Sequence, residues 1–252
     1  MMTNDLAPAV SRAISILKLL ASIPDSMGVN AIARQLNIAP SSCLSILRAL
    51  TTEGLVQLSP INKQYSLGLG LLTLAHDMLG RNQFAPLVEP ELKSIATQYG
   101  ATATAVELDS RERMVVVAVA QAPTFLQIQV GVGSRFPAYI SATGRCIAAQ
   151  SDLSVAQLKQ RFNSLKWQSP PTFEQWLKEV ALAKTKAIGI DVGNYICGFT
   201  IVASLVNSTD GKHRAISVVS VSEQLQGKKL LSLQKDTKHA ANLISLKMRG
   251  LR

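Results

Sequence analysis

The stretch 28–68, GVNAIARQLNIAPSSCLSILRALTTEGLVQLSPINKQYSLG, constrains this chain more than any other. Ile32, Ala33 and Leu36 give one short helix an apolar face, and Leu44, Leu47 and Leu50 give a second helix its own. Asn37-Ile38-Ala39-Pro40 makes a tight connection between them. Pro40-Ser41-Ser42 joins a helix-starting proline to hydroxyls suited to capping free N–H groups. After Glu53-Gly54 the period changes to alternation over 55–59, a turn follows at 60–63, and Gln64-Tyr65-Ser66-Leu67 supplies a second short strand. The order is a helix-turn-helix followed by a β-hairpin wing. Upstream, 9–22 predicts a third helix with Val10, Ile14, Leu17 and Ala21 on its inner face, widened by Ile16 and Leu20 and ended before Pro24.

This order of elements suits double-stranded DNA. A helix fits the major groove with its N-terminal residues at the base edges. Here those are Ser41, Ser42 and Ser45, with Arg48 one turn later. Arg34 on the first helix of the pair faces phosphate, and Lys63, Gln64 and Tyr65 in the wing reach flanking backbone or minor groove. A winged domain that binds only protein is the alternative. Charge decides little: the formal net charge is +10 and the pI about 9.7. Yet Arg12, Lys18, Arg34, Arg48 and Lys63 stand against Asp5, Asp25 and Glu53 in the first 70 residues, a net of only +2.

Other classes find little support in the residues. Cys43, Cys146 and Cys197 are too few and scattered for a disulfide framework, and no CxxC pair is present for zinc. His76, His213 and His239 lie far apart, without grouped acids, so neither a metal nor any other cofactor is expected. No apolar run approaches the roughly 18–20 residues that cross a bilayer. MMTNDLAPAV lacks the basic start and apolar core of an export signal, so a cytoplasmic protein is expected.

Residues 69–80, LGLLTLAHDMLG, are apolar on most sides, which predicts a linker helix packed against a second copy. Phe84-Ala85-Pro86 marks a boundary, Pro86 and Pro90 open another helix, and Gly100 stops it. Beyond Gly100 the character is α+β. Strands are expected at 102–108, 114–120 and 126–132, then a helix from Ser141 to Gln150. The intervening GVGSRFP lacks the lysine of a phosphate loop and reads as a turn. Helices at 154–162 and 172–187 follow, then strands at 190–192, 199–206 and 215–222, with Asp210-Gly211 turning between the last two. A basic terminal helix over 228–248 has Leu230, Leu233, Thr237, Ala241, Ile244 and Met248 as its inner stripe, which favours packing on the sheet over membrane attachment.

In this order the chain resembles IclR-type bacterial transcriptional regulators over nearly its full length. The resemblance rests on IAPSSCLSILRALTTEGLV through the wing, GSRFPAYISATGRCIAA, and AIGID with VVSVS downstream. It implies a winged helix-turn-helix DNA-binding domain over 1–68, a linker helix over 69–85 and an effector-binding domain over 86–252, the last a GAF-like antiparallel sheet with helices. It also implies operator DNA as partner, assembly as a homodimer or tetramer, and a small organic or aromatic acid as effector. Carried over by matching position, Ala142, Thr143, Asp191, Ile201, Ser220 and Ser222 line the effector site. The helix starting near Ser141 directs free N–H groups at whatever lies before it, which suits a carboxylate. Alternation places Ser220 and Ser222 on one sheet face.

Three departures from the family pattern bear on this. Ser45 stands where arginine is common in the recognition helix, Ile201 and Leu205 where many members have a cysteine followed by a proline, and Tyr139 where a histidine is common. The last two changes make the implied site more apolar and point to a bulkier effector than a two- or three-carbon acid. The other readings are an enzyme with an appended DNA-binding domain and a protein-binding scaffold. Against the enzyme, the sequence carries no Gly-x-Ser-x-Gly elbow, metal cluster or acid pair.

Overall fold

A computed structural model describes residues 7–81, 83–123 and 128–250. The chain forms two compact units, Met1–Asn82 and Gln83–Arg252. In the first, α1 (Pro8–Ser22), α2 (Val29–Gln35) and α3 (Pro40–Thr52) precede a hairpin of β1 (Val56–Leu58) and β2 (Tyr65–Leu67), and α4 (Gly70–Arg81) ends the unit. Asn37 makes the α2–α3 turn in the left-handed region, φ 52°, a conformation asparagine tolerates better than most residues. Ile16, Leu19, Leu20, Ile32, Ala33, Cys43, Leu47, Leu50, Val56 and Tyr65 form the core.

Two details of this unit differ from the sequence expectation. Helix α1 buries Ile16, Leu19 and Leu20, while Val10 (61 %) and Ile14 (45 %) are exposed, as is Ala21. The helix carries apolar residues on more than one face, and periodicity does not say which face meets the core. In α3 the N-cap is Ala39 and no side chain caps the helix, so Ser41 and Ser42 are not capping residues; Cys43 is buried where Leu44 is only half-buried.

The second unit is an antiparallel sheet with helices on both faces. Its strands are β3 (Thr102–Leu108), β4 (Arg113–Gln121), β5 (Arg135–Pro137), β6 (Gly189–Val192), β7 (Phe199–Val206) and β8 (Arg214–Val221), in the spatial order β5-β4-β3-β8-β7-β6. On one face lie α5 (Phe84–Tyr99) and α9 (Gly227–Arg249), packed on Ala103, Ala105, Val202, Ile216 and Val218. On the other lie α6 (Ser141–Gln150), α7 (Val155–Asn163) and α8 (Phe173–Lys186), where Trp176 is fully buried among Phe162 and Phe173. Each large apolar side chain buried this way contributes about 1.5–3 kcal/mol. Ser154 and Gln157 close a capping box on α7, and Gly100, at φ 61°, stops α5.

Pro90 lies inside α5, which begins at Phe84, rather than opening a helix. Part of the strand expected at 126–132 lies outside the described residues, and 128–132 is not strand; β5 holds the edge position instead. The β3–β4 ladder shifts register between Ala105 and Val106. This bulge lets Met114 and Val116 face the α6 side while Ala118 and Ala120 face the α5 side.

Candidate effector cavity and DNA-reading face

The helix-turn-helix presents an open surface. Ser41, Ser45, Arg34, Arg48 and Lys63 are exposed, and Ser42 is half-buried. None of these side chains has a hydrogen-bond or ion-pair partner among the described residues. Helix α3 therefore offers three hydroxyls and a guanidinium whose bonding capacity is unspent within the chain. The wing divides its three residues. Lys63 sits at the turn with φ 55°, whereas alternation turns Tyr65 inward, 5 % exposed, where its backbone bridges to Met27. The Gln64 carbonyl accepts from Ser26 Oγ at 2.6 Å, so this half-buried side chain is engaged within the fold.

The second unit has a partly open cavity of about 70 Å³ on the α6 side of the sheet. Apolar walls come from Val106, Met114 and Phe136, from Ile128 and Val130 in the β4–β5 connection, and from Ile196, Ile201 and Val219. The polar lining is Thr104, Ser141, Thr143, Tyr195 and Ser217, and among the described residues no charged side chain lines it. Thr104 Oγ1 and Ser217 Oγ lie 2.8 Å apart and satisfy each other. Ser141 and Thr143, 6 % and 3 % exposed, have no partner for their hydroxyls among the described residues. Burial pushes the Tyr195 phenol up, which keeps it a neutral hydrogen-bonding group.

Helix α6 reaches this position by close backbone approach. A Cβ on Gly144 would meet the Tyr139 carbonyl carbon at 2.1 Å, and one on Gly189 would meet the Ala142 carbonyl oxygen at 2.2 Å. Only glycine permits such contact. Ser141 begins the helix in the left-handed region at φ 60°, which costs a non-glycine residue about 1–2 kcal/mol. Strain at a cavity-lining residue is the sort of outlier from which function is inferred.

Of the six residues assigned to this site from the sequence, Thr143 and Ile201 line the cavity. Ala142 is fully buried in the core and does not. Asp191 faces α6 but is consumed by Arg145, 2.8 Å from Nη1, and by the N–H groups of Asn194 and Tyr195. Ser220 bonds the Gly100 carbonyl at 3.4 Å, and Ser222 bonds Thr200 at 2.9 Å. In β8 the even residues Ile216 and Val218 pack on the α5 side and the odd residues Ser217 and Val219 reach the cavity, so Ser220 falls on the opposite face. A one-residue change of parity exchanges the faces. Ser217 and Thr104 were not identified from the sequence, although both sit in alternating runs with a hydroxyl at the cavity parity.

Among the described residues no group of histidine, cysteine or acids is placed to hold a metal ion. No described helix is long and apolar enough to cross a membrane. Cys146 is pushed up to about 12 by burial, so its thiol stays protonated at neutral pH.

Comparison with known proteins agrees with this architecture. Residues 9–60 match the IclR helix-turn-helix domain and residues 76–246 match the bacterial transcriptional regulator IclR C-terminal domain. The glycerol operon regulatory protein of Streptomyces griseus is 28 % identical over 56 % of this chain and 55 % of its own length, so the match spans about half of that relative. The solved IclR transcriptional regulator of Alicyclobacillus acidocaldarius is 26 % identical with a TM-score of 0.80, covering 95 % of this chain and 98 % of that one. An IclR homologue of Microbacterium hydrocarbonoxydans, solved in complex with 4-hydroxybenzoate, has the same fold at 15 % identity and a TM-score of 0.80, over 96 % of this chain and 99 % of that one. With both of its domains matched in order, the chain belongs to the IclR family of bacterial transcriptional regulators.

Proposed function

We propose that this protein binds operator DNA through α3 and that a small organic or aromatic acid, held in the α6-side cavity, controls that binding. The division of labour is the one expected from the sequence: residues 1–68 read DNA, 69–85 link, and 86–252 sense the effector. The observation that carries the sensing half is the pair of hydroxyls of Ser141 and Thr143, which open onto a largely apolar cavity and have no partner among the described residues. Hydroxyls left free by the fold and open to a cavity are able to bond a ligand or an ordered water there. They sit on the first turn of α6, where free N–H groups favour a carboxylate. The apolar walls suit an aromatic or branched body, and a homologue of this fold binds 4-hydroxybenzoate.

The active form in this reading is a homodimer. Helix α4 is exposed along nearly its whole length although Leu72 (65 %), Leu74 and Met78 (63 %) are apolar. Val10 and Ile14 of α1 are exposed apolar residues as well, and apolar side chains left in water along a helix mark an interaction surface. Two copies joined here place two recognition helices at a spacing that must match half-sites about one helical turn, or a multiple, apart. Effector binding alters that spacing and so alters affinity.

Calorimetry against a panel of short keto acids and aromatic acids tests the sensing half, followed by gel shifts on the protein's own promoter region with each binder. Saturable binding that changes promoter affinity is expected. Preference for the shortest acid counts against the bulkier effector, and promoter affinity no higher than for random duplex, with every acid tried, ends the proposal.

A further inference from the structure

At about 70 Å³ the cavity is small, whereas sites for small molecules run to roughly 300 Å³ or more. A wall must move to admit an acid with an aromatic body. The strands are fixed by their ladders, and α6 is fixed by backbone contact at Gly144 and Gly189. Two connections supply the rest of the lining: Ile128 and Val130 between β4 and β5, and Tyr195 and Ile196 between β6 and β7, the second bounded by Gly193 at φ 74° and Gly198 at φ 80°. Both glycines are free of close neighbours at the position a Cβ would take, so each is able to act as a hinge.

Backbone N–H groups of Gln168 and Ser169 donate to the Tyr195 and Asn194 carbonyls at 3.4 and 3.0 Å, Gly193 donates to Phe199 at 2.9 Å and Ser222 to Gly198 at 2.8 Å. Beside these bonds the β6–β7 connection is held by a side-chain cluster the proposed function does not use. Arg145 is 1 % exposed and fans its guanidinium over three partners. Nε meets Glu179 Oε2 at 2.6 Å, Nη1 meets Asp191 Oδ2 at 2.8 Å and Nη2 meets Asn194 Oδ1 at 2.9 Å. Its flat face lies 5.8 Å from the Trp167 ring. The other Asp191 oxygen accepts the backbone N–H groups of Asn194 and Tyr195, and Gln168 Oε1 accepts that of Cys197 at 2.7 Å. None of Arg145, Glu179, Asp191 or Asn194 lines the cavity. Two acids neutralise the one arginine, so the cluster offers no positive charge to a ligand. What it offers is position.

We infer that Arg145 is a positioning residue that latches the 193–198 segment as a hinged wall of the cavity, and that the strength of this latch sets how large a ligand is admitted. The latch works through the guanidinium fork, which satisfies Glu179, Asp191 and Asn194 in three directions at once. With the fork seated, Tyr195 stands edge-on to Phe136 at 6.4 Å and the chamber is small. With Asn194 released, the segment swings on its glycines and the chamber opens. The inference about size rests on the cavity being the effector site; the latch itself does not.

Amide hydrogen exchange of the whole chain tests the latch without a ligand, because the N–H groups of Asn194 and Tyr195 are bonded to Asp191 and that of Cys197 to Gln168. Asn194→Ala removes the Arg145 contact and the bond from Asn194 Nδ2 to the Ser169 carbonyl while sparing the buried Arg145–Asp191 pair. We expect the three amides to exchange about tenfold faster than in the wild type, with β3 and β8 amides unchanged. Arg145→Lys, whose ammonium cannot span three partners, is expected to have the larger effect; if it does not fold, Asn194→Ala decides alone. Unchanged exchange at the three amides of Asn194→Ala overturns the inference, as does acceleration spread equally over β3 and β8, which means the network only holds the fold. In a second arm 4-hydroxybenzoate is titrated as the probe. Tighter binding by Asn194→Ala than by wild type supports the size rule, and binding of equal strength refutes it. If neither protein binds any acid tried, yet the three amides accelerate, the latch stands and the effector reading is what fails.

Discussion

The two units place their working residues in opposite ways. In the first, the side chains proposed to meet DNA project from α3 and from the wing turn into solvent, with no partners inside the chain. In the second, the residues that define the cavity come from β3, β4, β5, β7, β8, α6 and two connections, and all are part of the fold that surrounds them. A surface site is separable from stability because removing an unpartnered exposed side chain breaks nothing. An internal site is not, because the same atoms pack the protein. The lesson is that mutational effects on function mean different things in the two halves.

The largest expected effect exposes that contrast most directly. Arg145→Ala leaves Asp191, fully buried, and the partly buried Glu179 without their counter-charge. Breaking a buried pair costs about 3–5 kcal/mol. Urea unfolding of the second unit should shift by that amount while the helix-turn-helix transition stays in place. Arg48→Ala is the counterpart in the first unit: operator affinity should fall by about 1–3 kcal/mol with stability changed by no more than about 0.5 kcal/mol. Gel shifts and a melting curve on the same preparation check both halves of that statement. A melting loss as large as the binding loss would erase the contrast.

The same contrast governs how much was legible from the sequence. The helix-turn-helix was readable because its signals are local: Pro40 at the helix start, the 3.6 period through Leu47 and Leu50, and a turn at Asn37. The face of α1 was not, since Val10, Ile14, Ile16 and Leu20 are all apolar and only packing selects Ile16, Leu19 and Leu20. Five of the six strands match the expectation to within a residue at each end, as with Phe199–Val206, because β-branched alternation is local as well. Strand β5 (Arg135–Pro137) does not, since it lies in the GVGSRFP stretch expected to be a turn while 128–132, expected as strand, is not. Which face each residue of β8 takes depends on its pairing with β3, Thr104 opposite Ser217, and that register is a long-range fact. Asp191 was singled out by its motif, yet its partner Arg145 was not, because nothing local marks a buried arginine whose acids are 34 and 46 residues away.

Ser141 offers a sharper cut through the internal site, since it carries a strain and a hydroxyl at once. Ser141→Gly relieves the left-handed backbone and is expected to stabilise the second unit by about 0.5–1 kcal/mol after the added freedom of the unfolded chain is counted. It also deletes one of the two unpartnered hydroxyls in the cavity, so binding of an acid should weaken. Calorimetry and thermal melting read the two effects separately. Stability and binding rising together would mean the serine is not retained for the ligand.

The smallest effects belong to a pair of serines that differ only in parity. Ser217 faces the cavity and shares a 2.8 Å contact with Thr104; Ser220, three residues on, faces α5 and reaches the Gly100 carbonyl at 3.4 Å. Ser217→Ala leaves Thr104 Oγ1 facing the cavity without its partner, which costs about 1 kcal/mol in the empty protein. A ligand able to bond that freed hydroxyl regains part of the loss on binding, so the variant should bind such an acid no worse than about twofold from wild type while being measurably less stable when empty. Ser220→Ala lies on the far side of the sheet and should change neither quantity by more than about 0.5 kcal/mol. If instead Ser220→Ala alters acid binding and Ser217→Ala does not, the ligand sits between the sheet and α5 rather than between the sheet and α6. The contrast between an outward reading face and an inward sensing chamber would then hold, but the chamber would be on the other side of the sheet.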